Sequence, residues 1–188
     1  MVRSLIDRDD SLDLASLRTS QPRPPTCPES GRIFKLVRKL ARKYQDDARL
    51  EHPPVPADLI TQVCRGLPLE IRRIPLKSVH GAIWRLGDAW VIHLNSNDTP
   101  ARQRFTLYHE IFHILAHSKA TPVFRKSSCG REGSFNELLA DHFAAVMLMP
   151  AEWVKKLWPE IKDVGKMAAI FYVPESVMYL GLQFLGLI

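Results

Sequence analysis

The first periodic segment of the chain lies at residues 31–50, where apolar side chains recur every three or four positions. That spacing predicts an amphipathic helix within the segment 31–52. Its apolar face is made of Ile33, Phe34, Leu36, Val37, Leu40 and Tyr44. Its other face is basic and carries Lys35, Arg38, Lys39, Arg42 and Lys43. Such a face either contacts nucleic acid or an acidic partner, or is simply solvated, and the solvated case is the more common.

A short helix at 57–65 and three strands are predicted next, because runs rich in β-branched and aromatic residues follow one another closely. The strands are expected at 69–74, 81–86 and 90–94. Gly87 and Asp88 separate the last two strands and are typical of a hairpin turn. We therefore expect a small antiparallel three-stranded sheet.

A longer helix is predicted after the sheet, since Asp98 or Thr99 can cap it and Pro100 suits its first turn. A polar loop is predicted at residues 118–133, and a second long helix is predicted from Ser134. Three short helices follow Pro150. Strands followed by a run of helices indicate an α+β fold, in which the sheet packs on a helix bundle.

Prolines mark the expected divisions of the chain. Residues 1–30 lack periodicity and contain Pro22, Pro24, Pro25 and Pro28, as is typical of a flexible leader. Prolines at 53, 54 and 56 separate the basic helix at 31–52 from a central domain at 53–150. The helical segment at 151–188 completes the predicted organisation.

Composition narrows the class of protein. The chain has 188 residues, of which 46% are hydrophobic, so it can bury a core of its own. No apolar run approaches the roughly 18 residues of a membrane span, and the first residues lack a signal-peptide core, so we expect a cytoplasmic protein. Three widely spaced cysteines, Cys27, Cys64 and Cys129, predict neither a disulfide framework nor a cysteine metal site.

The candidate chemistry lies in His109-Glu110-x-x-His113. On a helix, residues four apart share a face, so both imidazoles can bind one metal ion. Glu110 then stands beside that ion and can take a proton from metal-bound water, as in zinc hydrolases. The same pattern also arises by chance among surface residues, so the surrounding sequence has to support it.

A catalytic zinc site usually has three protein ligands, and Glu137 is the best candidate for the third. Asp141 lies four residues further on and can accept the free N–H of a ligating histidine. Alternatively, Ser134 and Glu137 form a capping box that needs no metal. His117 is a weaker ligand candidate, because a continuous helix places it about 12 Å from His109. A Cys129 thiolate is weaker still.

A second electrophile for the tetrahedral oxyanion is not identified by spacing. Arg104, Tyr108 and His117 are the candidates for the cleft, although each is more simply explained as a packing or surface residue of the helix.

Taken together, the motifs resemble those of the ImmA/IrrE family of metallopeptidases over roughly residues 55–188. The resemblance rests on Val91–Ser96, Arg102–Leu107, His109–His113, Glu137–Ala144, Leu148–Pro150 and Met167–Val177. It implies a zinc protease in which Glu137 is the third ligand and Asp141 contacts one of the ligands without binding the metal. It also implies a C-terminal helix-turn-helix-like segment. It also implies a protein substrate, an Xre-type transcriptional repressor, whose cleavage relieves repression. In such peptidases an edge strand often aligns the substrate, so the third predicted strand is a candidate cleft wall.

Two other functions remain open. The metal could have a structural role and hold two helices together in a non-catalytic transcriptional regulator or toxin-like binding protein. Structural zinc sites, however, usually have four protein ligands, and they do not need an adjacent carboxylate such as Glu110. Direct DNA binding is the third option, and the net charge of +6 permits it. The tail at 151–188 is neutral overall, however, so DNA binding through it is not favoured.

Overall fold

The computed structural model describes residues 28–118 and 132–188. Within those ranges the chain forms seven helices and one three-stranded sheet, which confirms the α+β class. The range 28–118 contains α1 (Pro28–Asp47), α2 (Leu59–Val63), β1 (Leu69–Ile74), β2 (Gly81–Leu86), β3 (Ala89–Asn95) and α3 (Pro100–Ser118). The range 132–188 contains α4 (Glu132–Leu148), α5 (Ala151–Ile161), α6 (Val164–Phe171) and α7 (Glu175–Phe184).

Helix α1 is the predicted amphipathic helix, shifted by three residues toward the N-terminus. It begins at Pro28, inside the expected leader, and ends at Asp47. Its apolar side is buried, since Ile33, Val37 and Ala41 are at most 7% exposed. The helix is therefore part of the core that the described helices share. Two cations of its basic face meet carboxylates at the surface, in the pairs Arg42–Glu152 and Lys43–Asp47.

Gln45 joins α1 to the C-terminal end of α4. Its side-chain amide donates to the carbonyl oxygens of Val146 and Met147, at 2.8 and 3.2 Å. The Val146 carbonyl cannot find the usual helical donor four residues on, because that residue is Pro150 and has no N–H. The buried glutamine supplies the missing donor.

We expect Gln45→Leu to lower the free energy of unfolding by about 1–3 kcal/mol, because it removes the donor from one buried and one part-buried carbonyl. Urea unfolding measures this difference. Gln62→Leu is the matched control, since Gln62 is exposed on α2 and should change stability by less than about 0.5 kcal/mol. Equal stability of the two variants would contradict the bridging role.

The sheet has the predicted strands, but its topology differs from the expected one. The strand order is β1-β3-β2, and β3 pairs in parallel with β1 and antiparallel with β2. The prediction of an all-antiparallel sheet is thus wrong in one pairing. After β1 the chain crosses at residues 75–80 to the far edge, and the hairpin then returns β3 into the gap between the other two strands.

The crossing segment is held by Asn95, at the end of β3. Its side-chain oxygen accepts from the backbone N–H of Leu76, and its amide donates to the carbonyls of Leu76 and Val79. Asn95 is 8% exposed, so these bonds form away from water. The side chain therefore determines where the chain enters β2.

Helix α3 follows the sheet and begins as predicted at Pro100. The Thr99 hydroxyl accepts from the backbone N–H of Arg102, so Thr99 is the capping side chain. Asp98 instead pairs with His80, at 2.7 Å. Helix α4 begins at Glu132, before Ser134, so Ser134 lies inside the helix and does not occupy its N-cap.

Three helices follow Pro150, as expected, and the last two form the helix-turn-helix-like end. The Asp163 side chain caps α6 by accepting from the Lys166 N–H, and Tyr172 ends it in the left-handed conformation. Their buried sides join the main core through Met167, Phe171, Val177, Met178 and Leu182. Among the described helices, none is long and apolar enough to cross a membrane.

His142 is a partly buried histidine between α1 and α7. Its ring meets Phe34 edge-on at a centroid distance of 4.8 Å and lies 5.2 Å from the ring of Phe184. Within the described part of the chain its Nε2 atom has no hydrogen-bond partner. Burial, aided by the charge of Arg38, lowers the pKa of His142 to about 4. The folded protein therefore holds this imidazole neutral.

We expect His142 to make folding sensitive to acid. Since its folded pKa lies below its ordinary value near 6.5, protonation favours the unfolded chain. Stability is full above about pH 6.5 and falls by as much as about 3 kcal/mol toward pH 4. Urea unfolding at pH 7.5 and pH 5 should show a smaller loss for His142→Leu than for the wild type. The same loss in both proteins would refute the assignment.

Candidate metal centre

The two histidines of the motif meet on one face of α3. His109 and His113 are one helical turn apart, and their Nε2 atoms lie 3.2 Å from each other. His109 is 1% exposed, while His113 is partly buried. The spacing in the sequence thus produces the predicted convergence.

Glu137 reaches the same point from α4. Its Oε2 atom lies 3.2 Å from Nε2 of His109, and its Oε1 atom lies 3.4 Å from Nε2 of His113. Helices α3 and α4 pack together beside it, with the rings of Phe112 and Phe143 5.4 Å apart. The three side chains form a group whose ligand atoms all lie within 4.8 Å, and they are hereafter the triad.

Asp141 lies on the same helix as Glu137 and contacts the second ring nitrogen of His109. Its Oδ1 atom is 2.7 Å from Nδ1 of His109. A carboxylate can only accept, so Nδ1 carries the proton and donates it to this bond. With Nδ1 protonated, the other ring nitrogen of His109, Nε2, faces the carboxylate of Glu137. Two acceptors that face each other need a proton or a metal ion between them.

The triad fits a divalent metal ion. Ligand atoms bound to one tetrahedral zinc at about 2.0–2.1 Å lie roughly 3.3 Å from each other. The three distances within the triad are 3.2, 3.2 and 3.4 Å. Two imidazoles and one carboxylate are also a ligand set of catalytic zinc sites, in which a water molecule takes the fourth position. The donor set therefore fits a divalent metal ion.

The electrostatics of the triad also favour a positive charge. Burial lowers the pKa of His109, but hydrogen bonds to Asp141 and Glu137 outweigh it and raise that pKa to about 10. Burial raises the pKa of Glu137, yet hydrogen bonds from His109 and His113 bring it down to about 2. The site is thus built around an ionised carboxylate that needs a cationic partner, either a proton or a metal ion.

Glu110 follows His109 on α3 and is 3% exposed. Burial raises its pKa above the usual range of a carboxyl group, while His109 and His113 oppose that shift. A carboxylate with a raised pKa accepts protons more readily at neutral pH. The carboxyl group of Glu110 therefore interacts electrostatically with the triad and has a raised affinity for protons.

Two sequence candidates for the cleft lie elsewhere. Arg104 donates to the backbone oxygen of Val55, and its guanidinium lies 5.7 Å from the ring centre of Tyr172. Tyr108 is fully buried, and burial raises its pKa. On a helix, both lie 100° or more around the axis from His109. A cleft role for either side chain is therefore unsupported.

Several other predictions fall outside the described parts of the chain. The backbone of His117 belongs to α3, which continues to Ser118, but its side chain is not among those described. The polar loop after α3, Cys129 and Cys27 also lie outside the described residues. Cys64 is a buried free thiol, and burial raises its pKa to about 11.

Sequence reasoning missed the residues that bring β2 to α3. Gly81 begins β2 and packs directly on Thr106 and Glu110. His80 pairs with Asp98 immediately before it. The only available signal was a glycine inside a predicted strand, which often marks close approach of another group.

An α+β domain in which two helices present two histidines and two glutamates, in this arrangement, defines a metallopeptidase-like protein. The chain belongs to the IrrE N-terminal-like domain family, Peptidase_M78, which matches residues 64–182. The family is that of the ImmA/IrrE metallopeptidases, as the resemblance indicated. Among curated proteins, no significant match is found.

A solved structure with a similar fold is a Mycobacterium tuberculosis transcriptional regulator. It superposes with a TM-score of 0.60 and is 13% identical in sequence. The match covers 80% of this chain and 51% of that protein, so the chain spans about half of its length. At this identity the likeness concerns the fold alone.

Proposed function

We propose that this chain is a zinc metalloendopeptidase that cleaves an Xre-type transcriptional repressor in the cytoplasm and thereby relieves repression. The observation that carries the proposal is the buried triad of His109, His113 and Glu137 beside Glu110. Zinc in such a site polarises the scissile carbonyl and lowers the pKa of bound water to near 7. The three residues of the triad would hold the ion.

Glu110 serves as the general base and acid. It takes a proton from the attacking water and returns it to the amine that leaves. Its burial supports this role, because a desolvated carboxyl group holds a proton more readily than an exposed one. Asp141 keeps His109 in the tautomer that binds metal through Nε2, since it accepts the Nδ1 proton.

The substrate segment is proposed to pair with β2. The sequence favoured the third strand as cleft wall, but β3 is central and has both neighbours. Within the described sheet, β2 pairs only with β3 and so leaves one edge open. Its first residue, Gly81, lies against Glu110. An extended peptide on this edge would run past the triad, which favours cleavage within a chain.

The repressor as substrate rests on the family resemblance, in which members stand beside Xre-type repressors. A similar fold in a transcriptional regulator agrees with a role in regulation. The alternative, a structural metal in a binding protein, leaves the buried Glu110 without a use and is therefore second.

Incubation of the zinc-loaded protein with a purified Xre-type repressor tests the proposal. Gel electrophoresis and mass spectrometry should show two defined fragments, and a zinc chelator should prevent them until zinc is restored. Tight binding of the repressor without cleavage, at full zinc occupancy, would instead support the binding protein.

A further inference from the structure

Strand β2 begins against the carboxylate of Glu110. A Cβ atom built on Gly81 would lie 2.5 Å from Cγ2 of Thr106 and 3.0 Å from Oε1 of Glu110. Thr106 and Glu110 are four residues apart, so they share one face of α3. Both are buried, at 4% and 3% exposure. The backbone of Gly81 therefore fills the space directly beside the proposed base.

The strand has little freedom to retreat from this contact. Gly81 is in register with Leu94 of β3, which is 1% exposed. The carbonyl of His80 accepts from the backbone N–H of Asn95 at 2.9 Å, and the His80 side chain pairs with Asp98. Hydrogen bonds thus hold the chain on the N-terminal side of Gly81, and the sheet holds it on the other.

An added side chain must therefore displace the groups on α3. Contacts below 3.0 Å are essentially absent for real Cβ atoms, so Thr106 has to shift. The Glu110 carboxylate lies at that limit and has to shift by a few tenths of an ångström. We propose that Gly81 is a positioning residue, whose lack of a side chain determines where the Glu110 carboxylate stands beside the triad. This inference rests on the proposed function of Glu110.

The test is a double-mutant cycle between Gly81→Ala and Glu110→Gln in the full-length, zinc-loaded protein. We expect Gly81→Ala to keep its zinc and to lower kcat by about 10- to 100-fold with little change in KM, since small displacements of a catalytic group are costly. In the Glu110→Gln background the same change should have no further effect, because the group through which it acts is gone.

The matched control is Gly31→Ala, because a Cβ at Gly31 meets nothing within 4 Å. If the clash with Thr106 destabilises Gly81→Ala, the double variant Gly81→Ala/Thr106→Ser is used in its place. That pair removes the Cγ2 methyl group and retains the contact with Glu110. It should therefore keep the loss of kcat.

A second readout is independent of turnover. Acetohydroxamic acid binds zinc through its two oxygen atoms, next to the carboxylate, and Gly81→Ala should weaken its Kd by about tenfold. Wild-type kcat and hydroxamate affinity in Gly81→Ala would overturn the inference, and so would a full additional loss in the Glu110→Gln background.

The two proposals fail in different ways. A wild-type protein that binds zinc but cleaves nothing overturns the proposed function, and hydroxamate affinity then decides the role of Gly81. A chain that binds no zinc overturns both.

Discussion

Glu110→Gln is expected to lower kcat/KM for peptide cleavage by about 10²- to 10⁴-fold, the usual contribution of a general acid–base group. Glutamine has nearly the same shape but cannot accept a proton from water at neutral pH. Zinc content should stay unchanged, because the triad does not include this residue. Cleavage rates and elemental analysis of the same samples measure both quantities.

The matched control is Glu160→Gln, which makes the same chemical change at an exposed position of α5. It should leave the rate unchanged. A Glu110→Gln protein that cleaves at the wild-type rate would remove the basis for the protease, since no other role has been assigned to this buried carboxylate.

Glu137→Ala is expected to reduce bound zinc from about one ion per chain to a small fraction of that amount after dialysis. Two histidines alone are a weak site, because stable catalytic zinc sites use three protein ligands. Proteolysis should disappear with the metal. Elemental analysis of protein purified without chelator gives the metal content directly.

Glu160→Ala serves as the control for Glu137→Ala and should retain the wild-type amount of zinc. Circular dichroism shows whether the Glu137 variant is still folded, so loss of metal can be separated from loss of structure. Full zinc occupancy in a folded Glu137→Ala protein would mean that the third ligand comes from elsewhere in the chain.

The two variants together distinguish an enzyme from a binding protein with a structural metal ion. In an enzyme, Glu110→Gln separates catalysis from metal binding, whereas Glu137→Ala removes both. In a binding protein only Glu137→Ala would have a consequence. The position of Glu110, buried next to the triad yet outside it, is what makes this separation possible.

Local sequence signals predicted the elements well where they describe short-range interactions. Strands β1 and β2 have the expected bounds, and β3 is longer by one residue at each end. Alternation of side chains and the turn at Gly87 depend only on neighbouring residues, so the pattern contains them. Likewise, Pro100 begins α3 because its fixed φ suits the first turn of a helix.

The sheet topology was less predictable, because pairing joins residues that are distant in sequence. The local sequence of the strand Ala89–Asn95 does not predict that this strand lies between β1 and β2. The bonds from Asn95 to the crossing segment exist only after the chain has folded back. The predicted cleft wall therefore fell on β3, a central strand with no free edge.

By itself, the sequence determined the helical pairing of His109 with His113 and the presence of Glu110 beside them, because the 3.6-residue period alone dictates these relations. It also identified Glu137 and Asp141 as a second pair on one face. Only the tertiary structure decided that the second pair meets the first, since this depends on how α3 and α4 pack. The contact of Gly81 with Glu110 was likewise decided there, because it requires a sheet edge to approach a helix.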